Sequence, residues 1–305
     1  MHKLNRCVRF SVNPFLPADE PGFNSFVSRP AGDGLAVFLE LGIEITGEIN
    51  PATGLIVNVS DIDKVVREGA VPVFAVGIRT NYKAQRHIGY NDLTRLLKIA
   101  WGNLEGGFDS FDKLPRPRHS RAGRTGKLTT GRFGSAKLSG LSLKLNPFRT
   151  LSVTGQDCEM VYFSEKFEFA AAHKLWNERF SERKNVETFG RCANPAGHGH
   201  NYIVEVTIKW PAGQEIRTGD FEKVVYESLI KQVDHKNLNE DIAEFGKIAP
   251  TVENIAVFAW KKLVGGFDSF DKLRTGKLTA GGFDKAVLHC VTVWETDKTY
   301  SSYYG

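Results

Sequence analysis

Hydrophobic and polar positions along the chain fall into two successive series of alternating and helical runs. In the second, "YFSEKFEFAAAHKL" at 162–175 reads as a strand, and "NYIVEVTIKW" at 201–210 alternates apolar and polar residues, the period of a strand with one buried face. "GDFEKVVYESLIKQV" at 219–233 has helical spacing, with Asp220 as a candidate cap. "PTVENIAVFAWKKL" at 250–263 repeats that spacing behind Thr251, with Asn254 three residues on, and "AVLHCVTVWET" at 286–296 predicts a last strand. The first series has the same order. A strand is expected at 7–12, a hairpin of 35–49 and 54–59 across "NPAT", helices at 60–69 and 91–104, and a strand at 140–145. Each half therefore predicts a ββααββ-like α+β unit, its helices gathered on one face of an antiparallel sheet. The boundary is expected near 152–158.

Between the last helix and last strand of each half stands a copy of one element. "GGFDSFDKL" occurs at 106–114 and at 265–273, and "RTGKLTTG" at 124–131 returns as "RTGKLTAG" at 274–281. Both inserts, 105–137 and 264–285, are Gly-rich without sustained periodicity, which predicts exposed loops. They also change the reading of charge. The chain of 305 residues carries +5, but 105–137 alone hold eight Lys/Arg against three Asp/Glu. The basic character sits in the inserts and not on a binding face, which argues against a nucleic-acid partner. Hydrophobic content of 41% is enough for a sizeable core, and no apolar run is long enough to cross a membrane. The N-terminus lacks the apolar region of a secretory signal, and Cys7, Cys158, Cys192 and Cys290 have no framework spacing. A cytoplasmic protein with free thiols is expected.

Candidate chemistry concentrates in "GRCANPAGHGHNY", residues 190–202. Residues i and i+2 of a strand share a face, so the imidazoles of His198 and His200 can converge. His173 closes the strand "FEFAAAH" behind three alanines that leave room beside it, and it can supply a third nitrogen. Three imidazoles suit a zinc ion that keeps one position open for chemistry. The plainer alternative is a turn with two solvated histidines. Cys192 stands as either a fourth, structural ligand or a thiolate base. In "VDHKNLN" (233–239), Asp234 beside His235 suits an oriented acid–base pair, or merely a histidine at a helix C-terminus. Glu295, ending "VWET", could accept two hydrogen bonds from an amidine-like edge such as a pterin, or lie solvated at a strand end.

"FAAAHKL", "FGRCANPAGHGHNY", "VDHKNLN", "PTVENIAVFAW" and "VTVWETD", in that order, closely resemble the family of 6-pyruvoyltetrahydropterin synthase and its relative 6-carboxytetrahydropterin synthase. The resemblance covers essentially all of 160–305 outside the insert. It implies the tunnelling fold (T-fold), in which subunits associate into a β-barrel with active sites at their interfaces, and so a homo-oligomer. It implies Zn2+ and a pterin triphosphate substrate, 7,8-dihydroneopterin triphosphate. By position it makes His173, His198 and His200 the zinc ligands and Cys192 the general base. Asp234 and His235 become the proton relay and Glu295 the pterin anchor, and Thr251 falls in a pocket-lining segment. The product would be 6-pyruvoyltetrahydropterin, with triphosphate released. The sister reaction instead gives a carboxylate and acetaldehyde, for deazapurine (queuosine) synthesis. The five residues between Cys192 and His198 are similar to the pyruvoyl type, since the carboxy type typically has three. A pterin-binding scaffold without turnover is the alternative from another class.

The first half departs from this pattern. "RPAGDGLAVFLELGIEITGEINPATG" at 29–54 looks like the histidine strand with its histidines gone. Asp33 and Leu35 stand in place of His198 and His200, Pro14 falls near the place of His173, and Leu145 near that of Glu295. The expectation is a tandem arrangement: 1–157 a degenerate T-fold-like half without a metal site, and 158–305 the catalytic half.

Overall fold

The computed structural model describes residues 1–15, 34–111, 135–214, 216–274 and 286–305, without the side chains of 108–111, 158 and 269–274. Asp33 and the insert stretches 112–134 and 275–285 lie outside the described residues. The chain divides into two compact units, Met1–Val161 and Tyr162–Gly305.

In the first unit, β1 (His2–Val12), β2 (Val37–Gly47), β3 (Lys137–Lys144) and β4 (Arg149–Thr154) form an antiparallel meander in that spatial order. Pairing runs without interruption from His2 opposite Gly47 to Val12 opposite Val37. The strict alternation of β2 turns Leu39, Leu41, Ile43 and Ile45 into the core. Against that face lie α1 (Val59–Gly69), α2 (Val71–Lys83) and α3 (Tyr90–Phe111), with Phe74 of α2 and Phe10 of β1 at ring centroids 6.1 Å apart. Of the hairpin expected across "NPAT", only a single antiparallel bridge, Asn50 to Leu55, forms, and 54–59 is not a strand. The Asn50 carbonyl accepts from both Thr53 N and Gly54 N, which closes a turn, and Asn58 Oδ1 accepts from Ser60 N, which starts α1. A cap signal outweighed the apolar run "GLIVNV". Helix α2 was not expected, because "VPVFAVGIRTNYK" is rich in β-branched residues; Pro72 in its first turn and burial of Val71, Phe74 and Ile78 hold it helical.

In the second unit, β5 (Asp157–His173, which begins in the first unit), β6 (His198–Pro211), β8 (Val287–Thr296) and β9 (Thr299–Tyr303) are neighbours in that order. A two-residue strand, β7 (Lys236–Asn237), runs parallel to β5 at Ala171 and Ala172. Between β5 and β6 lie α4 (Glu182–Phe189), capped by Ser181, and a 3-10 turn, Gly190–Ala193, that carries Cys192. A helical run follows β6: α5 (Thr218–Val225), a π-turn (Tyr226–Ile230) and α6 (Lys231–Val233). Asp220 does not cap it; Arg217 precedes the first turn and Asp220 lies inside it. The short α7 (Leu238–Asp241) leads on to α8 (Val252–Arg274), preceded by Thr251, whose Oγ1 accepts from Asn254 N at 3.4 Å.

The inserts correct a second expectation. Helix α3 runs on to Phe111 and α8 to Arg274, so "GGFDSF" is helical in both units and not a loop. Extending a formed helix costs far less than nucleating one, and Phe267 is buried, its ring stacked on Phe221 at 6.0 Å.

Candidate functional site

Strands β5 and β6 bring three histidines together on the buried side of the second unit. His173 ends β5 and is 1% exposed, while His198 and His200 open β6 on one face, with Tyr202 two residues further on the same face. Ring centroids lie 4.5 Å apart for His173 and His198, 5.2 Å for His173 and His200, and 4.7 Å for His198 and His200. One nitrogen from each ring falls within 4.8 Å of the other two. Gly197, at φ +68°, lets the chain enter β6, and a Cβ there would meet the His173 carbonyl oxygen at 3.0 Å.

The ring nitrogens have a defined chemistry. His173 Nδ1 lies 2.8 Å from the Pro250 carbonyl oxygen. A carbonyl can only accept, so Nδ1 carries the hydrogen and Nε2 keeps its lone pair. That Nε2 faces His198 Nε2 at 3.1 Å. Buried His198 Nδ1 and His200 Nε2 have no hydrogen-bond partner. Two tetrahedral ligands about 2.0–2.1 Å from one zinc stand roughly 3.3 Å apart, so the Nε2–Nε2 spacing of His173 and His198, with the orphaned His200 Nε2 beside it, fits a divalent ion. Burial pushes His173 and His200 below the ordinary imidazole value, which keeps both as neutral donors.

Glu295, near the end of β8, lies beside the trio. Its Oε1 is 3.4 Å from His173 Nε2 and 3.7 Å from His200 Nε2. Cys192 is half-buried and lies outside the nitrogen cluster. Burial, followed by the Glu295 charge, pushes its thiol up.

Asp234 Oδ2 lies 2.9 Å from His235 Nδ1. Asp234 Oδ1 accepts from Ala170 N at 2.9 Å, and this bond is the main reason its carboxyl lies below the usual range. His235 N donates to the Ala170 carbonyl, and its own backbone is left-handed at φ +56°. The pair is not part of the nitrogen cluster, and the His235 side chain is 83% exposed. It reaches the same open cavity as His200, about 530 Å³ in volume, between Ala170–Ala172, Gly199–Asn201 and His235–Asn237. Thr251 stands next to Pro250, so it is one residue from the carbonyl that fixes His173.

Residues 162–305 match the family model for 6-pyruvoyl tetrahydropterin synthase. Human 6-pyruvoyl tetrahydrobiopterin synthase is 36% identical over 155 residues, spanning 50% of this chain and 95% of that protein. The chain belongs to the 6-pyruvoyl tetrahydropterin synthase family. A 6-carboxy-5,6,7,8-tetrahydropterin synthase of Aquifex aeolicus is 26% identical over 169 residues, 46% of this chain and 95% of that protein. The solved Caenorhabditis elegans 6-pyruvoyl tetrahydropterin synthase is 31% identical over 48% of this chain and 96% of its own, with a TM-score of 0.41.

For this family member, sequence reasoning missed three groups around the trio. The Pro250 carbonyl and the Tyr202 hydroxyl, 3.3 Å from His173 Nδ1, both touch the buried imidazole. Asn239 grips the backbone of Lys174, accepting from its N–H at 2.7 Å and donating to its carbonyl at 3.0 Å. Only Tyr202 carried a signal, the alternation His-x-His-x-Tyr that puts it on the face of His198 and His200. Of the first-unit residues that the sequence comparison set against the site, Leu35 is 94% exposed, and Pro14 and Leu145 are partly buried. The histidine trio is the one group of its kind among the described residues. No helix among them is long and apolar enough to cross a membrane.

Proposed function

We propose that the second unit is a zinc-dependent pterin lyase that converts 7,8-dihydroneopterin triphosphate to 6-pyruvoyltetrahydropterin with release of triphosphate. The observation that carries the reading is the convergence of one nitrogen from each of three imidazoles, with His200 Nε2 buried and without a partner. His173, His198 and His200 would hold zinc, which supplies Lewis acidity to the hydroxyls of the substrate side chain. Cys192, beside the cage, serves as proton acceptor at the side chain. His235, oriented through Nδ1 by Asp234, moves protons from the cavity side. Glu295 would bind the polar edge of the substrate, and its contacts with His173 and His200 support that role beside the histidines. Thr251 lines the pocket from the start of α8.

The reaction with side-chain cleavage to a carboxylate would use the same cage, and relatives of both kinds are matched. The loop of five residues from Cys192 to His198 favours the pyruvoyl product. We further propose that the first unit is a degenerate T-fold copy. Its β-β-helices-β-β order parallels that of the second, and it would supply barrel strands in a cytoplasmic homo-oligomer. Incubation of the zinc-loaded chain with dihydroneopterin triphosphate tests the activity. Triphosphate release, its loss in Cys192→Ala, and a product of pyruvoyl mass are expected. Pterin binding with no triphosphate release would reduce the protein to a scaffold.

A further inference from the structure

We propose that Tyr202 and Asn239 are positioning residues that set His173 in the one orientation from which it can bind an ion. The inference rests on the reading of the trio as a metal cage and concerns how the chain pre-forms that cage. His173 is the deepest of the three ligands, and it stands at the last residue of β5, where a strand end would otherwise fray. Two contacts remove that freedom. From below, Asn239 makes a two-point amide clasp on the N–H and carbonyl of Lys174, the next residue. This clasp replaces the ladder bonds that β5 lacks beyond its end, and Asn239 is itself fixed, its N–H donating to Asn237 Oδ1 at 3.1 Å.

From the side, the Tyr202 hydroxyl lies 3.3 Å from His173 Nδ1 while the Pro250 carbonyl lies 2.8 Å away. Because Nδ1–H faces two oxygens, the ring cannot flip without losing both, and Nε2 stays aimed at His198 and His200. Tyr202 can do this because it does not move: it is fully buried, stacked on Phe169 at 5.0 Å, with its edge against His173 and His200. Groups that orient a ligating imidazole through its other nitrogen typically change metal affinity by about 10- to 100-fold when removed.

The test uses the full chain and zinc alone, titrated against a chromophoric chelator. Tyr202→Phe keeps every ring contact and deletes only the hydroxyl, so folding is preserved. It is expected to bind zinc about 10-fold more weakly, since Pro250 remains. Asn239→Ala should weaken binding at least as much, and Asn239→Asp, which keeps the acceptor for Lys174 N–H, should recover part of the loss. A merely structural role would lower the urea midpoint of the metal-free protein and leave the affinity of folded molecules unchanged. Affinities within twofold of the unmodified chain for both Tyr202→Phe and Asn239→Ala would overturn the inference. If the unmodified chain itself binds no zinc, the metal reading fails, and this inference with it.

Discussion

Two adjacent glycines in the repeated insert should respond to the same substitution with opposite signs. At Gly265 an added Cβ meets nothing within 4 Å. Gly265→Ala therefore adds only helix propensity to α8, a gain of about 0.5–1 kcal/mol. At Gly266 the added Cβ runs into the Ser228 hydroxyl, comes to 2.7 Å from Ser228 Cβ and to 3.3 Å from Val224 Cγ1. The hydroxyl could rotate away, but the Cβ of a helical residue cannot. Forcing a methyl into such a contact costs about 1–3 kcal/mol, so Gly266→Ala should end roughly 0–2 kcal/mol less stable after the propensity gain. Equilibrium urea unfolding reads the difference. With a slope of about 1–3 kcal/mol per molar urea, the two variants should separate by roughly 1 M in midpoint, one on each side of the unmodified protein. Ser228→Ala in the Gly266→Ala background should recover part of the loss. The first unit offers a weaker copy of the experiment, since Gly106 is open and a Cβ on Gly107 would lie 3.0 Å from Val65 Cγ1. Equal stabilisation by both second-unit substitutions would refute the docking of this segment against the π-turn and return it to the status of a loose appendage.

Further outcomes follow from the site. His198→Ala together with His200→Ala should remove about one bound zinc per chain by elemental analysis, since three-ligand sites rarely survive the loss of two; retention of the metal would place it elsewhere. The metal-free chain should lose stability as pH falls below about 6.5. His173, His200 and His289 are held below the ordinary imidazole value by burial, so the unfolded chain binds the extra protons and the urea midpoint should drop between pH 7 and pH 5.5. A flat midpoint over that window would contradict the burial argument. Cys192, pushed up by burial and by Glu295, should react with iodoacetamide at pH 7.5 more slowly than a free thiol, read by peptide mass mapping; faster labelling would mean an activated thiolate before any metal arrives.

What could be read from the letters was local and periodic. Strands β5, β6 and β8 follow from alternation, and the His-x-His pair from the two-residue repeat of a strand. What could not be read was set by neighbours distant in sequence. Strands β4 and β9 have little apolar signal of their own, and pairing with β3 and β8 makes them strands. The insert read as a loop because two glycines and an aspartate break its helical pattern; Phe267 packing on Phe221 supplied what propensity lacked. At the site, residue types and spacing singled out the three histidines, but the clasp of Asn239 on Lys174 spans 65 positions and leaves no trace in spacing.

The left-handed backbone at His235 has a practical consequence for any test of the proposed relay. Alanine or a branched residue there would pay about 1 kcal/mol or more to hold that geometry, so a lost rate would mix a vanished imidazole with a displaced loop. Asparagine and glycine tolerate the conformation, and they are the replacements from which the ring's own contribution can be read.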